Sequence, residues 1–223
     1  EDTVSPYSSN WSTTSVPDGA HSITASARDT SGNTAEASVS VNVLNIAAET
    51  LWATTATPSI ITAPADTPVE LGVRFVPATD GSILGIRFYK GPQNIGVHTA
   101  SLWDDTGDQI ASATFTGESA SGWQQVLFSA PADVTIGSTY TASYYASVGK
   151  YSVTQNYFTA AVVSGNLTAP ATINGVYKYG SGYPTETYIN ANYWVDVLFV
   201  ARGEDRTPPS VPTGLTITPS WSR

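Results

Sequence analysis

The sequence has no cysteine and no methionine, two histidines, and nine lysines and arginines in 223 residues. Without cysteine there is no disulfide, no thiolate metal site and no cysteine nucleophile. Without methionine there is no initiator residue at the start, and no signal-peptide pattern opens the chain. Glu1 is therefore expected to follow a cut through something longer. Eighteen Asp and Glu residues give a formal net charge of −9. A nucleic-acid binder needs a basic stripe to neutralise phosphates. No such stripe exists here, and an anionic membrane surface is disfavoured for the same reason. No apolar run approaches the roughly 20 residues that span a bilayer. Runs of Leu, Ala, Glu and Lys at helical spacing are missing too.

What is present is β-forming material. Hydrophobic residues make up 41% of the chain, enough for a core. Val, Ile, Thr and Tyr alternate with Gly, Ser and Asn, so an all-β fold is expected. Residues 1–46 read as paired strands. In "AHSITASARDTSGNTAEASVSVNV", Ile23, Ala25 and Ala27 share one face, and Val39, Val41 and Val43 share another. Asp29, Ser31, Gly32 and Asn33 supply the turn between them.

Residues 49–203 hold many short candidate strands: "TLWAT", "VELGVRFV", "SILGIRFYK", "VHTASLW", "QIASATF", "WQQVLF", "TYTASYY", "KYSV", "VYKY" and "YWVDVLFV". Clusters such as "ATDG", "GPQNIG", "DDTGD" and "SAPAD" read as turns between them. Short strands at this spacing, with no helical interval, point to a jelly-roll-like β-sandwich. About 155 residues suffice for one core. Residues 204–223 read as a Pro-rich linker and a stub.

Three resemblances follow from these motifs. The pattern around "PYSSNW" and "VPDGAHSITASARDTSGN" resembles the second half of a bacterial Ig-like domain. An Ig sandwich has about seven strands, so a truncated Ig-like segment is expected at the N-terminus. "PPSVPTGLT" resembles the opening of a fibronectin type III domain. Between them, "ELGVRF", "GIRFYKG", "HTASLW", "GWQQVLFSAP", "NGVYKYG", "YPTETY" and "NYWVDVLF" resemble an uncharacterised bacterial domain-of-unknown-function family. That resemblance covers residues 49–200. It implies a secreted or cell-surface multidomain protein, with Ig-like and fibronectin type III neighbours and often carbohydrate-active enzymes. It supplies no ligand.

The residues offer little for catalysis. His98 is the one histidine of the central piece; it alternates with Val97 and Thr99 on a strand, and no G-x-S-x-G elbow is present. The carboxylates fall mostly in turns, and "WDDTGDQ" reads as turn chemistry rather than a Ca²⁺ loop. Glu186 has no partner carboxylate of the kind glycoside hydrolysis needs. Glu70 and Asp196 stand out because they lie within strands. Asp196 is expected to pair with Arg74 or Arg87, or else to sit at a structural calcium ion.

Four tyrosines in "NGVYKYGSGYPTETYIN" have no settled period. Tyr140, Tyr144 and Tyr193 have the parity of core residues; Trp103 and Trp123 flank strands and are expected in the core rather than at the rim. Tyr179 and Tyr183 flank "GSG", Tyr151 follows "SVGK", and Tyr188 lies further along the same loop. "YKGPQNIGVH" adds Lys90, Asn94 and His98. Sandwich domains gather loops at their ends. If these loops meet, aromatic faces, an amide and a cation form a concave site for a polysaccharide or glycan. The competing readings are that these tyrosines pack the loops, or that the module is a spacer or adhesin. The expectation is thus a non-catalytic accessory module, with Lys90, Asn94, His98, Tyr151, Tyr179, Tyr183 and Tyr188 as carbohydrate-binding residues.

Overall fold

Alternating patterns between glycine-rich turns become thirteen strands in the computed structural model, which describes residues 11, 13–17, 19–43, 45, 47–63 and 67–202. Residues 1–10 and the Pro-rich segment 204–223 lie outside the described residues. The strands are β1 (Gly19–Arg28), β2 (Thr34–Val43), β3 (Val69–Pro77), β4 (Gly81–Lys90), β5 (His98–Trp103), β6 (Gln109–Thr114), β7 (Gly122–Val134), β8 (Tyr140–Ala146), β9 (Val162–Ser164), β10 (Leu167–Ala169), β11 (Val176–Tyr179), β12 (Glu186–Thr187) and β13 (Val195–Ala201). Among the described residues no helix is long and apolar enough to cross a membrane.

β1 and β2 form a separate hairpin with Ile23 opposite Val39 and Ala25 opposite Ala37. Its turn is built as the sequence predicts. Asp29 Oδ1 accepts from the Ser31 and Asn33 amides at 2.9 Å, and Oδ2 accepts from Asn33 Nδ2 at 2.8 Å. Ile23 and Val39 remain exposed, so this ribbon buries little apolar surface.

The other strands make a β-sandwich. One sheet runs β12-β11-β3-β8-β5-β6, with β10 and β9 attached beside β3; the second runs β13-β4-β7. Alternation sorts the large sheet. Leu71, Val73 and Phe75 of β3 and Ala142 and Tyr144 of β8 face inward and are buried. From the small sheet, Phe88 stacks on Tyr144 with ring centres 4.0 Å apart, and Val195, Val197 and Phe199 of β13 complete the core. β13 lies antiparallel to β4, with Asp196 opposite Arg87.

Three strand expectations are corrected. "SAPAD" is not a turn, because β7 continues through it to Val134. Its Pro131 is tolerated because β7 is an edge strand and the residue falls in a bulge between the Gly85–Leu127 and Ile83–Ala132 pairs. At Gly85 an added Cβ would lie 2.0 Å from the Val126 carbonyl oxygen, so no other residue fits there. "TLWAT" forms no strand. It is a strap whose Leu51 and Trp52 amides donate to the Asp196 carboxylate instead of to a neighbouring strand. "KYSV" pairs only at the isolated Ile60–Val153 bridge. The short β9–β10 hairpin lacks enough residues to show a period.

Candidate ligand-binding site

The site begins where β8 ends. Gly149 takes a φ of +73°, which suits glycine, and turns the chain so that Tyr151 follows. The Tyr151 ring meets Tyr193, which precedes β13, with centres 5.7 Å apart. On β11, Tyr177 and Tyr179 share a face and touch at 5.6 Å, and Tyr177 meets Tyr193 at 6.3 Å. Tyr188, on the segment after β12, lines the same cleft. This cleft is about 110 Å³ and is bounded by Ile60, Tyr151, Val153, Gln155, Tyr188 and Tyr193. Tyr193 is buried at its floor, whereas Tyr179 and Tyr188 are 61% and 57% exposed.

The phenols influence one another. Burial first, then the Tyr179 and Tyr188 phenols, raise the Tyr151 pKa. Burial, followed by the hydrogen bond and charge of Glu186, raises that of Tyr177. The Tyr151 and Tyr177 hydroxyls stay protonated at neutral pH and can donate and accept. The cleft is smaller than the roughly 300 Å³ at which enclosing pockets begin. It suits face-on contact with a ring and hydroxyl hydrogen bonds at its rim. It does not suit engulfment.

Lys90, Asn94 and His98 come together as well, but inside the protein. Lys90 ends β4 and His98 starts β5. Glu118, on the loop between β6 and β7, reaches between them: Lys90 Nζ donates to Oε2 at 2.7 Å, and His98 Nδ1 lies 2.8 Å from Oε1. His98 Nε2 is 2.9 Å from Asn94 Oδ1, and Asn94 Nδ2 donates to the Tyr144 hydroxyl at 3.3 Å. Burial lowers the His98 pKa, and the hydrogen bond and charge of Glu118 oppose it. All three expected residues are buried and point at these partners, not at solvent. Their loop does reach the one that leads to Tyr151: an added Cβ on Gly96 would lie 2.6 Å from Ser147 Oγ.

Tyr183 is placed elsewhere. Its ring packs on Trp103 at 5.7 Å, on the outer face of the large sheet, and the Gly107 turn presses against it. Beneath lies Glu70, 2% exposed. Glu70 accepts from Ser143 Oγ at 2.5 Å, and Ser143 Oγ accepts from Trp103 Nε1 at 2.8 Å. Burial raises the Glu70 pKa to about 7, against the Ser143 and Gly182 hydrogen bonds and the charge of Lys178.

Asp196 faces the other way, on the outer face of the small sheet. Arg87 Nη2 and Nε donate to Oδ2 at 2.7 and 3.0 Å, and the Leu51 and Val197 amides donate to Oδ1 at 2.7 and 2.8 Å. Arg74 instead donates to the Ile173 carbonyl. Among the described residues no three His, Asp or Glu side chains cluster as metal ligands.

Sequence reasoning reached Tyr151, Tyr179 and Tyr188 but missed Tyr177, Gln155 and Glu118. Tyr177 shares β11 and its face with Tyr179 but does not flank the "GSG" that singled Tyr179 out. Glu118 carries no local signal, because its partners lie 20 and 28 residues away in the chain.

The fold and this cleft define a two-sheet antiparallel β-sandwich with a tyrosine-lined end. The chain belongs to the family described as Domain of unknown function (DUF4082), whose model matches residues 55–195. No curated protein matches the chain.

Proposed function

We propose that residues 49–203 form a non-catalytic carbohydrate-binding module of a secreted or cell-surface bacterial protein. The observation that carries this reading is the cleft lined by Tyr151, Tyr188 and Tyr193, with Tyr177 and Tyr179 in ring contact beside Tyr193 and the Tyr179 and Tyr188 rings more than half exposed. Aromatic rings with hydroxyls at their tips bury the apolar face of a pyranose and hydrogen-bond its rim. With a net charge of −9, the favoured ligands are neutral glycans. The flanking Ig-like and fibronectin type III resemblances support the secreted, multidomain setting. In such a setting a tethered module raises the effective concentration of its neighbours at a polysaccharide. The test is a glycan array probed with the full chain, with added Ca²⁺ and with EDTA. Binding of a neutral glycan, lost in Tyr179→Ala and Tyr188→Ala, supports the module. No binding across a broad panel returns it to a spacer or adhesin.

A further inference from the structure

Loop 180–184 ties the tyrosine cleft to a buried acid. It begins directly after Tyr179 and ends at Pro184, just past Tyr183, whose ring packs on Trp103. Gly180 and Gly182 take φ values of +76° and +114°, which suit glycine and make them natural hinges. Besides the Tyr183 ring and the buried Pro184, the loop is held by hydrogen bonds: the Gly180 amide donates to the Pro68 carbonyl at 2.8 Å, the Glu70 amide donates to the Gly180 carbonyl at 3.1 Å, and the Gly182 amide donates to the Glu70 carboxyl. The titratable groups around Glu70 are Lys178, opposite it on β11, Tyr145, opposite it on β8, and Tyr183 above. Lys178 is exposed, so it compensates a buried negative charge only weakly. Ser143 Oγ accepts from Trp103 Nε1 and keeps a second lone pair, so it can donate to an ionised Glu70 or accept from a protonated one.

We propose that loop 180–184 is a proton-linked lid, seated while Glu70 is protonated and released when Glu70 ionises, and that its release loosens the end of β11 that carries Tyr179. The direction follows from linkage. A seated loop keeps Glu70 out of water, where its carboxyl stands near 7 rather than at the ordinary 4.5. Opening returns the group to water and releases its proton, so rising pH favours the open state. Opening also uncovers the Trp103 ring beside Ser143 and Glu70, a second aromatic face with polar neighbours. The effect on ligand affinity rests on the tyrosine-cleft reading; the lid itself does not.

The experiment is hydrogen exchange of the full chain between pH 5 and 8, with rates corrected for intrinsic exchange. Protection of the Gly182 amide, which donates to Glu70, should fall roughly seventyfold over that range, most of it below pH 7. Glu70→Gln should keep the protection and remove its pH dependence. On the wild type, the Glu70 carboxyl ¹³C shift and the Gly182 amide shift should titrate together, which needs no variant to fold. Protection independent of pH, an unchanged dependence in Glu70→Gln, or separate midpoints for the two shifts would overturn the lid. A sound lid with no glycan bound would leave it standing and remove the glycan reading alone.

Discussion

Asp196 and Arg87 face each other across β13 and β4 at 2.7 Å, both buried, with the strap at residues 51–52 sealing the pair from water. The Arg87 guanidinium also lies 4.3 Å from the Trp123 ring centre. Removing one member leaves the other charge buried, which costs about 3–5 kcal/mol. Asp196→Asn and Arg87→Met should each lower the melting temperature well beyond a surface change, and the double variant should lose less than the sum. EDTA should not move the wild-type melting temperature. A fall with EDTA that is absent in Asp196→Asn would mean that a metal ion sits at this carboxylate.

The cleft tyrosines should separate by burial. Tyr179→Ala and Tyr188→Ala remove largely exposed rings and should leave the melting temperature nearly unchanged. They should weaken a bound glycan by about 2 kcal/mol, the cost of truncating a central anchor. Phenylalanine at either position should restore part of the affinity, because the ring face survives. Tyr193→Ala should destabilise the fold first. Calorimetry and binding isotherms on the same variants check the separation.

Glu118 joins the two sheets through Lys90 and His98. Glu118→Ala strands both partners in a nearly closed site and should cost about 1–3 kcal/mol, the penalty for a buried polar group left unpaired. Glu118→Gln should recover some of that. Urea denaturation of the two variants reads the difference.

Glu70 should make the protein less stable as pH rises. Its folded-state value, about 7 against 4.5, lies above the unfolded one. Its favourable contribution is therefore complete below about pH 4.5 and lost as pH passes through 7. Asp196, pushed up to about 6 mainly by burial, adds to the trend. His98, lowered by burial, works against it in acid. Comparison with Glu70→Gln isolates the one group. The variant should match the wild type near pH 5 and exceed it at pH 8, by on the order of 1–3 kcal/mol. Equal stability differences at the two pH values would refute this.

The sandwich should not need the β1–β2 hairpin. A fragment of residues 49–203 should melt in one cooperative transition, because the buried hydrophobic cluster lies wholly between Leu51 and Phe199. A broad melt would refute that boundary.

How much of this was legible depends on where each signal lives. The two faces of β3 and β5 were readable, because alternation is local and both strands have one inner and one outer face. β13 was readable as a strand, but Trp194, Asp196 and Leu198 gave no hint that the strap covers them; burial on both faces comes from a partner more than 140 residues away. The exposed tyrosines were legible as aromatic residues without strand parity. Lys90, Asn94 and His98 were not legible as interior, because what holds them lies elsewhere in the chain: Glu118 on Lys90 and His98, Phe88 against the His98 ring, and Tyr144 on Asn94.

The strap has one more consequence. Glu49 and Phe199 exchange two backbone hydrogen bonds, of 2.7 and 2.9 Å, in antiparallel register. The points where the chain enters and leaves the sandwich therefore sit side by side. In a string of modules the domain hangs like a pendant from a single point of attachment and adds little length to the string. Tension along the chain would peel this clasp open bond by bond and would not shear it. The tyrosine cleft, at the opposite end of β13, would bear no load until the clasp had parted.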